Sequence, residues 1–446
     1  MAVAASRLIA RKTLTEVRSR TAFVTPALSH VLDMGDYSDD ERGYGSRLAH
    51  RSVASYRVTA DILARYLRDP DALPPVVHDA LVVSATELLY LDAPDHAVDQ
   101  GVELVKASYP GLAGLANAVL RKIVADRQGL LAESSAYRFG FPPWLADRLI
   151  DEYGEEHAFA IMTTSNEEAP IYAVVLSVAP KDWKEQLEDA GAVIESMEGN
   201  SIRIHNMGAI RNHRLITSRA ILICDVNAQV AQSLAPVGTR MLDVCSGRGS
   251  KTLLWIDRVQ RHLSEGDAPD LHQYAEVIGI DDSAHKIEVA ARQAAQLGYE
   301  RIEYRVEDAT KPGSDETEVY DVVFVDAPCS GIGTLRRHAD KRMTLQPADI
   351  DELAVLSEKI LRTSAQKVAS GGVLVYATCT ISRKENDDIV AAFLASGEGS
   401  RFHLDPIDRS ELPFADEEVQ IDNGCVQMFP QSSGGDGHFV ARFTCD

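Results

Sequence analysis

Two cysteines, Cys329 and Cys379, stand in matching surroundings about fifty residues apart. The apolar run 322–325 ends at Asp326 and passes into Ala327-Pro328-Cys329-Ser330-Gly331. The run 373–376 passes in the same way into Ala377-Thr378-Cys379-Thr380. Short apolar runs that stop at turn-forming residues predict buried strands handing side chains to loops. The carboxyl ends of strands in a parallel sheet are where α/β proteins keep their ligands. Two thiols delivered this way can converge on one reacting centre. The thiolate is the nucleophile, and a cysteine with an ordinary pKa of ~8.5 offers only a few per cent of it at neutral pH. Helix starts and neighbouring arginines raise that fraction.

The elements that must position these thiols follow from the rest of the chain. From Asn227 onward strand and helix patterns alternate. Strands are expected over 240–244, 277–280, 302–306, 322–325 and 373–376, with helices over 251–261, 283–297 and 349–369. This order predicts an α/β, Rossmann-like doubly wound, largely parallel sheet for residues 227–446. Residues 1–138 read as helices throughout, with Leu81, Ala85, Leu88 and Leu89 on one face, then Val98, Val102 and Val105, then Leu115, Val119 and Ile123. Pro74-Pro75, Pro94 and Pro110-Gly111 punctuate them, so an all-α bundle is expected. Between the two, residues 139–226 predict a small α+β subdomain in the order β-α-β-β, joined to the last domain by a linker near 215–226.

Composition narrows the class. The 446 residues are 45% hydrophobic and 25% charged, ordinary for a globular protein. No apolar run approaches the ~18 residues of a membrane span, and the N-terminal MAVAASRLIARKTL lacks the h-region of a signal peptide, so a cytoplasmic protein with no membrane role is expected. The six cysteines contain no C-x-x-C pair, which predicts neither a zinc site nor a disulfide framework, and no metal. A net charge of -22 argues against coating a polyanion with diffuse basic charge. The first 140 residues are close to neutral, however, and Arg336, Arg337, Lys341 and Arg342 cluster beside the Cys329 loop. Arg336 and Arg337 are candidate phosphate contacts, with pairing to acidic neighbours as the alternative. Arg42, Arg47, Arg51 and Arg57 form a second basic series, read as a solvated helix face or a phosphate-contacting one.

The 241–252 stretch, MLDVCSGRGSKT, is a strand running through a glycine turn into a helix. Glycines there let backbone approach a ligand, and helix-start N–H groups favour an anionic group. Asp281 ends the next strand, where an acidic residue accepts ribose hydroxyls; the alternative is a helix cap. Asp308 follows the third strand and can accept from an exocyclic amine, while Lys251 can pair with a carboxylate. An adenosine bearing an amino-acid tail fits these groups better than a dinucleotide does. A thiolate beside a methyl-sulfonium donor suits alkylation of a pyrimidine: it adds at C6, C5 becomes nucleophilic enough to take the methyl group, and a base removes the C5 proton so that the thiolate leaves. The two cysteines can divide attack and release between them.

Five stretches carry a resemblance to a known family: 326–340 (DAPCSGIGTLRRHAD), 374–386 (LVYATCTISRKEN), 242–252, Asp225-Val226-Asn227-Ala228-Gln229, and Gly435-Asp436-Gly437-His438-Phe439. The chain resembles the S-adenosylmethionine-dependent RNA cytosine-5 methyltransferases, and within them the RsmB-like 16S ribosomal RNA subgroup with its NusB-like helical N-terminal domain. The resemblance implies that Cys379 attacks, that Cys329 assists release, and that Asp326 holds the cytosine N3/N4 edge. It further implies that Cys245, Ser246, Gly247, Arg248, Gly249, Ser250, Lys251, Asp281, Asp308 and Asp326 line the S-adenosylmethionine site. Ribosomal RNA, free or within an assembling small subunit, is the implied partner of a monomeric enzyme. A transfer RNA methyltransferase and a catalytically weak RNA-binding assembly factor of the same fold are the alternatives. The turn departs from the family's Ala-Pro-Gly-Gly-Lys at Arg248 and Ser250, a change that bears on cofactor affinity. Cys224, Cys425 and Cys445 read as packing residues.

Overall fold

Pro75, whose fixed φ suits the first helical position, opens the helix Pro75–Tyr90, buried on nearly every side. A helix apolar all round belongs at the centre of a bundle. Its buried carboxylates are paired: Glu87 accepts from Arg7 at 2.6 and 2.8 Å and from the Tyr44 hydroxyl at 2.6 Å, and Asp79 faces Arg18 at 2.8 Å. The computed structural model describes residues 3–20, 22–91, 93, 96–264, 276–311, 313, 317–412 and 419–446. It divides into two units, the first made of Met1–Glu168 with Leu335–Pro347 and the second of Ala169–Thr334 with Ala348–Asp446. Pro94 and residues 265–275 lie outside the described residues.

The first unit is helical, from Ala5–Arg20 through Glu155–Thr164. Its arginines correct two expectations. Arg42 donates to the Tyr37 and Leu32 carbonyls, Arg51 to the Phe139 carbonyl while lying over the Tyr90 ring, and Arg57 to the Met343 carbonyl at 2.7 Å. Arg42, Arg51 and Arg57 therefore bind the protein itself, while Arg47, over the Tyr44 ring, is the exposed member of the series. Arg342 is fully buried, donating to Asn166 Oδ1 and the Ser165 carbonyl at 2.7 Å each, with Phe141 stacked 3.8 Å from its guanidinium. It therefore contributes nothing to a surface patch.

The second unit holds two sheets. The smaller has the order β2-β3-β1-β4, all antiparallel, from β1 (Ile171–Val175), β2 (Ile194–Ser196), β3 (Ser201–Ile204) and β4 (Ile221–Ile223). The stretch expected to be a linker thus supplies the fourth strand. The larger sheet contains β5 (Arg240–Val244), β6 (Glu276–Asp281), β7 (Ile302–Val306), β8 (Tyr320–Asp326), β9 (Val368–Thr378), β10 (Phe402–Leu404), β11 (Gln420–Asp422), β12 (Cys425–Met428) and β13 (His438–Cys445). Its order is β11-β12-β13-β9-β8-β5-β6-β7, with β10 on β13. Strands β5 to β9 are parallel, as expected, while the C-terminal strands add an antiparallel edge that the sequence reading missed. One face packs on Leu253, Leu254 and Trp255 of the helix Ser250–Ser264. The other packs on Ile360 and Leu361 of the helix Pro347–Ala365 and on Phe393.

Strand β5 pairs with β6 on one side and β8 on the other. The chain runs outward through β6 and β7 and then returns to β8, so β5 and β8 straddle a topological switch point, where the crevice at the carboxyl ends binds ligands.

Candidate functional site

At this switch point β5 gives way to a turn that is left-handed at Cys245 (φ 61°), Gly247 (φ 58°) and Gly249 (φ 76°). The two glycines have different reasons. A Cβ on Gly249 would stand 2.2 Å from the Tyr304 hydroxyl, so this glycine makes room for a ring packed beneath the turn. A Cβ on Gly247 would meet only the Cys245 carbonyl at 4.0 Å, which leaves its side of the turn open. The Ser246 hydroxyl is buried without a protein partner. Asp281, at the end of β6 and almost wholly buried, accepts from the Gly247 N–H at 3.1 Å, from the Ser283 N–H at 2.9 Å and from Lys286 at 3.3 Å. It therefore combines the expected place beside the turn with the local capping bond. Asp308 is exposed: its carboxylate accepts from the Thr310 hydroxyl and N–H and from Lys311, which hold it below the usual carboxylate range.

Strands β8 and β9 pair directly, with the Ala327 N–H donating to the Ala377 carbonyl at 2.9 Å. That pairing brings the next residues together, and the Cys329 and Cys379 sulfurs lie 3.5 Å apart, both half-buried and not joined in a disulfide. Lys251, in the first turn of the helix Ser250–Ser264, pairs with Asp326. Burial works against the ammonium, but the facing carboxylate outweighs it and the lysine is held charged. Behind them Asp243 of β5 is fully buried beside the Thr252 hydroxyl, and burial pushes its carboxyl up to about 7.

A group to which the sequence reading gave no role holds the two cysteine loops in register. Glu385, 1% exposed, accepts from the Ser330 N–H and hydroxyl at 2.6 Å each and from the Thr380 hydroxyl at 3.0 Å. Each donor is the residue immediately after a cysteine. Asn386 accepts from the Thr378 hydroxyl at 2.7 Å and donates to the Thr380 carbonyl at 3.1 Å, bracketing Cys379. The signal was present as the Glu-Asn that closes the 374–386 motif.

The remaining motifs wall this crevice. Gly437 N–H donates to the Gly333 carbonyl at 2.8 Å, an approach so close that a Cβ on Gly333 would fall 2.2 Å from the Gly437 oxygen. Asn227 donates to the Asp436 carbonyl at 2.7 Å, and Asp225 accepts from the Asp436 N–H at 3.0 Å. The other cysteines are poor reagents: burial pushes the thiols of Cys224 and Cys425 up to about 12 and that of Cys245 higher still. Among the described residues no group of three His, Cys, Asp or Glu is arranged to hold a metal. In the first unit, the Arg336 side chain is 8% exposed and pairs with Glu167 at 3.2 Å, the intramolecular alternative, while Arg337 is half-buried.

Comparison with known proteins gives six relevant matches. The family described as "16S rRNA methyltransferase RsmB/F" matches residues 231–444, and the NusB family matches residues 4–125. The ribosomal RNA small subunit methyltransferase B of Thermus thermophilus is 31% identical over 82% of this chain and 82% of its own length. The probable ribosomal RNA small subunit methyltransferase B of Bacillus subtilis is 29% identical over 97% of each. Among solved structures, PH0851 superposes with a TM-score of 0.79 over 99% of both chains at 18% identity. NSun6 from Pyrococcus horikoshii with SFG does so with a TM-score of 0.56, over 68% of this chain and 98% of that one, at 14% identity. At such identities these two likenesses concern the fold alone.

Proposed function

The chain belongs to the RsmB/F family of ribosomal RNA methyltransferases, with a NusB-family N-terminal domain, and we propose that it methylates C5 of a cytosine in 16S ribosomal RNA, with S-adenosylmethionine as donor. The observation that carries this reading is the meeting of two cysteine sulfurs 3.5 Å apart beyond the ends of adjacent strands, beside the Lys251–Asp326 pair. Addition to a pyrimidine ring and release from it uses both sulfurs.

The open side of Gly247, the unpartnered Ser246 hydroxyl, the Asp281 carboxylate and Lys251 fit an adenosine carrying an amino-acid tail. Asp308 is the acidic group assigned to the adenine amine. When bound, the cofactor supplies an electrophilic methyl group. The protein's own work is to make C5 reactive. The Cys379 thiolate forms a bond to C6, and the ring electrons displaced by that bond gather at C5 while Asp326 holds the N3/N4 edge. After C5 has taken its methyl group, Cys329 takes the C5 proton, the C5–C6 double bond re-forms and the Cys379 sulfur leaves. Glu385 and Asn386 fix the two loops so that one sulfur attacks while the other stands within reach of the same ring.

The test is methyl transfer from labelled S-adenosylmethionine to protein-free 16S RNA. The wild type is expected to label cytosine C5 and Cys379→Ala to lose at least about a thousandfold in rate, as expected for removal of a covalent nucleophile. Label on another atom, or full activity in Cys379→Ala, would overturn the reading.

A further inference from the structure

We propose that Arg219 is a positioning residue for the cofactor turn, and that Ser250 is its matched acceptor; this rests on the reading of residues 245–251 as the S-adenosylmethionine turn. Arg219 sits between the short helix Arg214–Thr217 and β4, at a left-handed φ of 63°. A side chain with a Cβ enters that region only when its surroundings hold it there. Its guanidinium explains what holds it. One nitrogen donates to the Arg248 carbonyl at 2.8 Å and to the Gln293 side-chain oxygen at 2.5 Å, and the other donates to the Ser250 hydroxyl at 2.6 Å. These contacts reach the turn after β5, which leads into the helix whose second residue is Lys251, and the helix Ala284–Gln296, which follows β6 and its terminal Asp281 in the chain. Arg219 thus ties the cofactor turn to the helix packed beside it.

The environment is a poor one for a charge unless it has this use. All three acceptors are neutral, burial lowers the pKa of the guanidinium, and the positive end of the helix Ser250–Ser264 lies alongside. The planar fork of an arginine can span a carbonyl, an amide oxygen and a hydroxyl at once, which a lysine cannot. The departure at Ser250 takes on a meaning here. Glycine at that position would leave Arg219 without its third acceptor, so the hydroxyl and the guanidinium belong together. The smaller sheet, through Arg219 two residues before β4, acts on the cofactor turn.

The experiment measures S-adenosylhomocysteine binding by calorimetry, and steady-state methylation of 16S RNA, with full-length wild type, Arg219→Ala, Arg219→Gln, Ser250→Ala and the Arg219→Ala/Ser250→Ala double variant. Loss of charged hydrogen bonds is expected to weaken S-adenosylhomocysteine binding about tenfold or more in Arg219→Ala. The KM for S-adenosylmethionine should rise in parallel, with kcat at saturation and the affinity for RNA within about threefold of wild type. Arg219→Gln keeps one donor for the Arg248 carbonyl and should recover part of the loss. The double variant should bind no worse than Arg219→Ala, because Ser250 acts through the arginine. Wild-type affinity in Arg219→Ala, or additive losses in the double variant, would overturn the proposal. If Arg219→Ala fails to fold, Arg219→Gln and Ser250→Ala decide by the same comparison. A wild type that binds no S-adenosylhomocysteine would overturn the cofactor reading itself, an outcome distinct from normal wild-type binding with an indifferent Arg219→Ala.

Discussion

The sulfurs of Cys329 and Cys379 stand 3.5 Å apart because Ala327 and Ala377 are bonded across two parallel strands two residues earlier. The sheet brings the two loops together, and Glu385 holds them in register. Cys425 is buried and Cys224 half-buried as Cys329 and Cys379 are, but burial pushes the thiols of Cys224 and Cys425 up to about 12. Iodoacetamide at pH 7.5 should therefore alkylate Cys329 and Cys379 first, since the thiolate is the reactive form. Peptide mass mapping of briefly treated protein checks this; earlier modification of Cys224 or Cys425 would contradict it.

Glu385 offers a test of positioning. Glutamine has one acceptor oxygen where the carboxylate serves Ser330 N–H, Ser330 hydroxyl and Thr380 hydroxyl. Glu385→Gln should cost ~1.5–3 kcal/mol of stability, the range for buried hydrogen bonds to a charged group. It should lower kcat about tenfold or more, with the S-adenosylmethionine KM unchanged. Chemical denaturation and steady-state kinetics check the two effects separately.

Asp243 makes stability depend on pH in an unusual direction. Its folded pKa of about 7 lies above the ordinary 3.8, so between those values the native state binds the proton that the unfolded chain has released. Its contribution therefore falls as pH rises from about 4 to about 7 and is lost above. Measured against Asp243→Asn, which removes the titration, the wild type should lose on the order of 4 kcal/mol of relative stability between pH 4 and pH 8. Urea denaturation of both proteins across that range checks it, and a constant difference would contradict it.

Gly249 and Gly247 should respond differently to alanine. Both are left-handed, but only at Gly249 does the new Cβ meet the Tyr304 hydroxyl, at 2.2 Å. Gly247→Ala should cost ~1–2 kcal/mol from the backbone alone. Gly249→Ala should cost more, and Tyr304→Phe in the same chain should restore part of the difference by removing the hydroxyl. Thermal unfolding of the three variants decides it.

Much of the larger sheet could be read from sequence because continuous apolar runs such as 322–325 mark strands buried on both faces, and the runs 322–325 and 373–376 ended within a few residues of the two cysteines that meet. The antiparallel edge escaped because β11, β12 and β10 are short and owe their form to pairing. Asn423-Gly424, both with positive φ, was the one local sign of the hairpin. Strand β4 was read as a linker for the same reason: three residues become a strand only beside β1. The arginines failed differently. Nothing local tells whether Arg51 or Arg342 faces solvent or the Phe139 and Ser165 carbonyls, because the partners lie 88 and 177 residues away. Glu385 was overlooked because a single carboxylate in a loop declares no partner until Ser330 and Thr380 are brought to it.

The central claim is that Cys379 attacks and Cys329 releases, and the most direct measurement is the fate of the protein–RNA bond. Cys329→Ala, incubated with 16S RNA and S-adenosylmethionine, should accumulate a denaturation-resistant covalent complex through Cys379, visible as a shifted band and mapped by mass spectrometry. Cys379→Ala and the double variant should form none. A complex through Cys329 in the Cys379→Ala protein, or none in Cys329→Ala under conditions where the wild type turns over, would contradict the account.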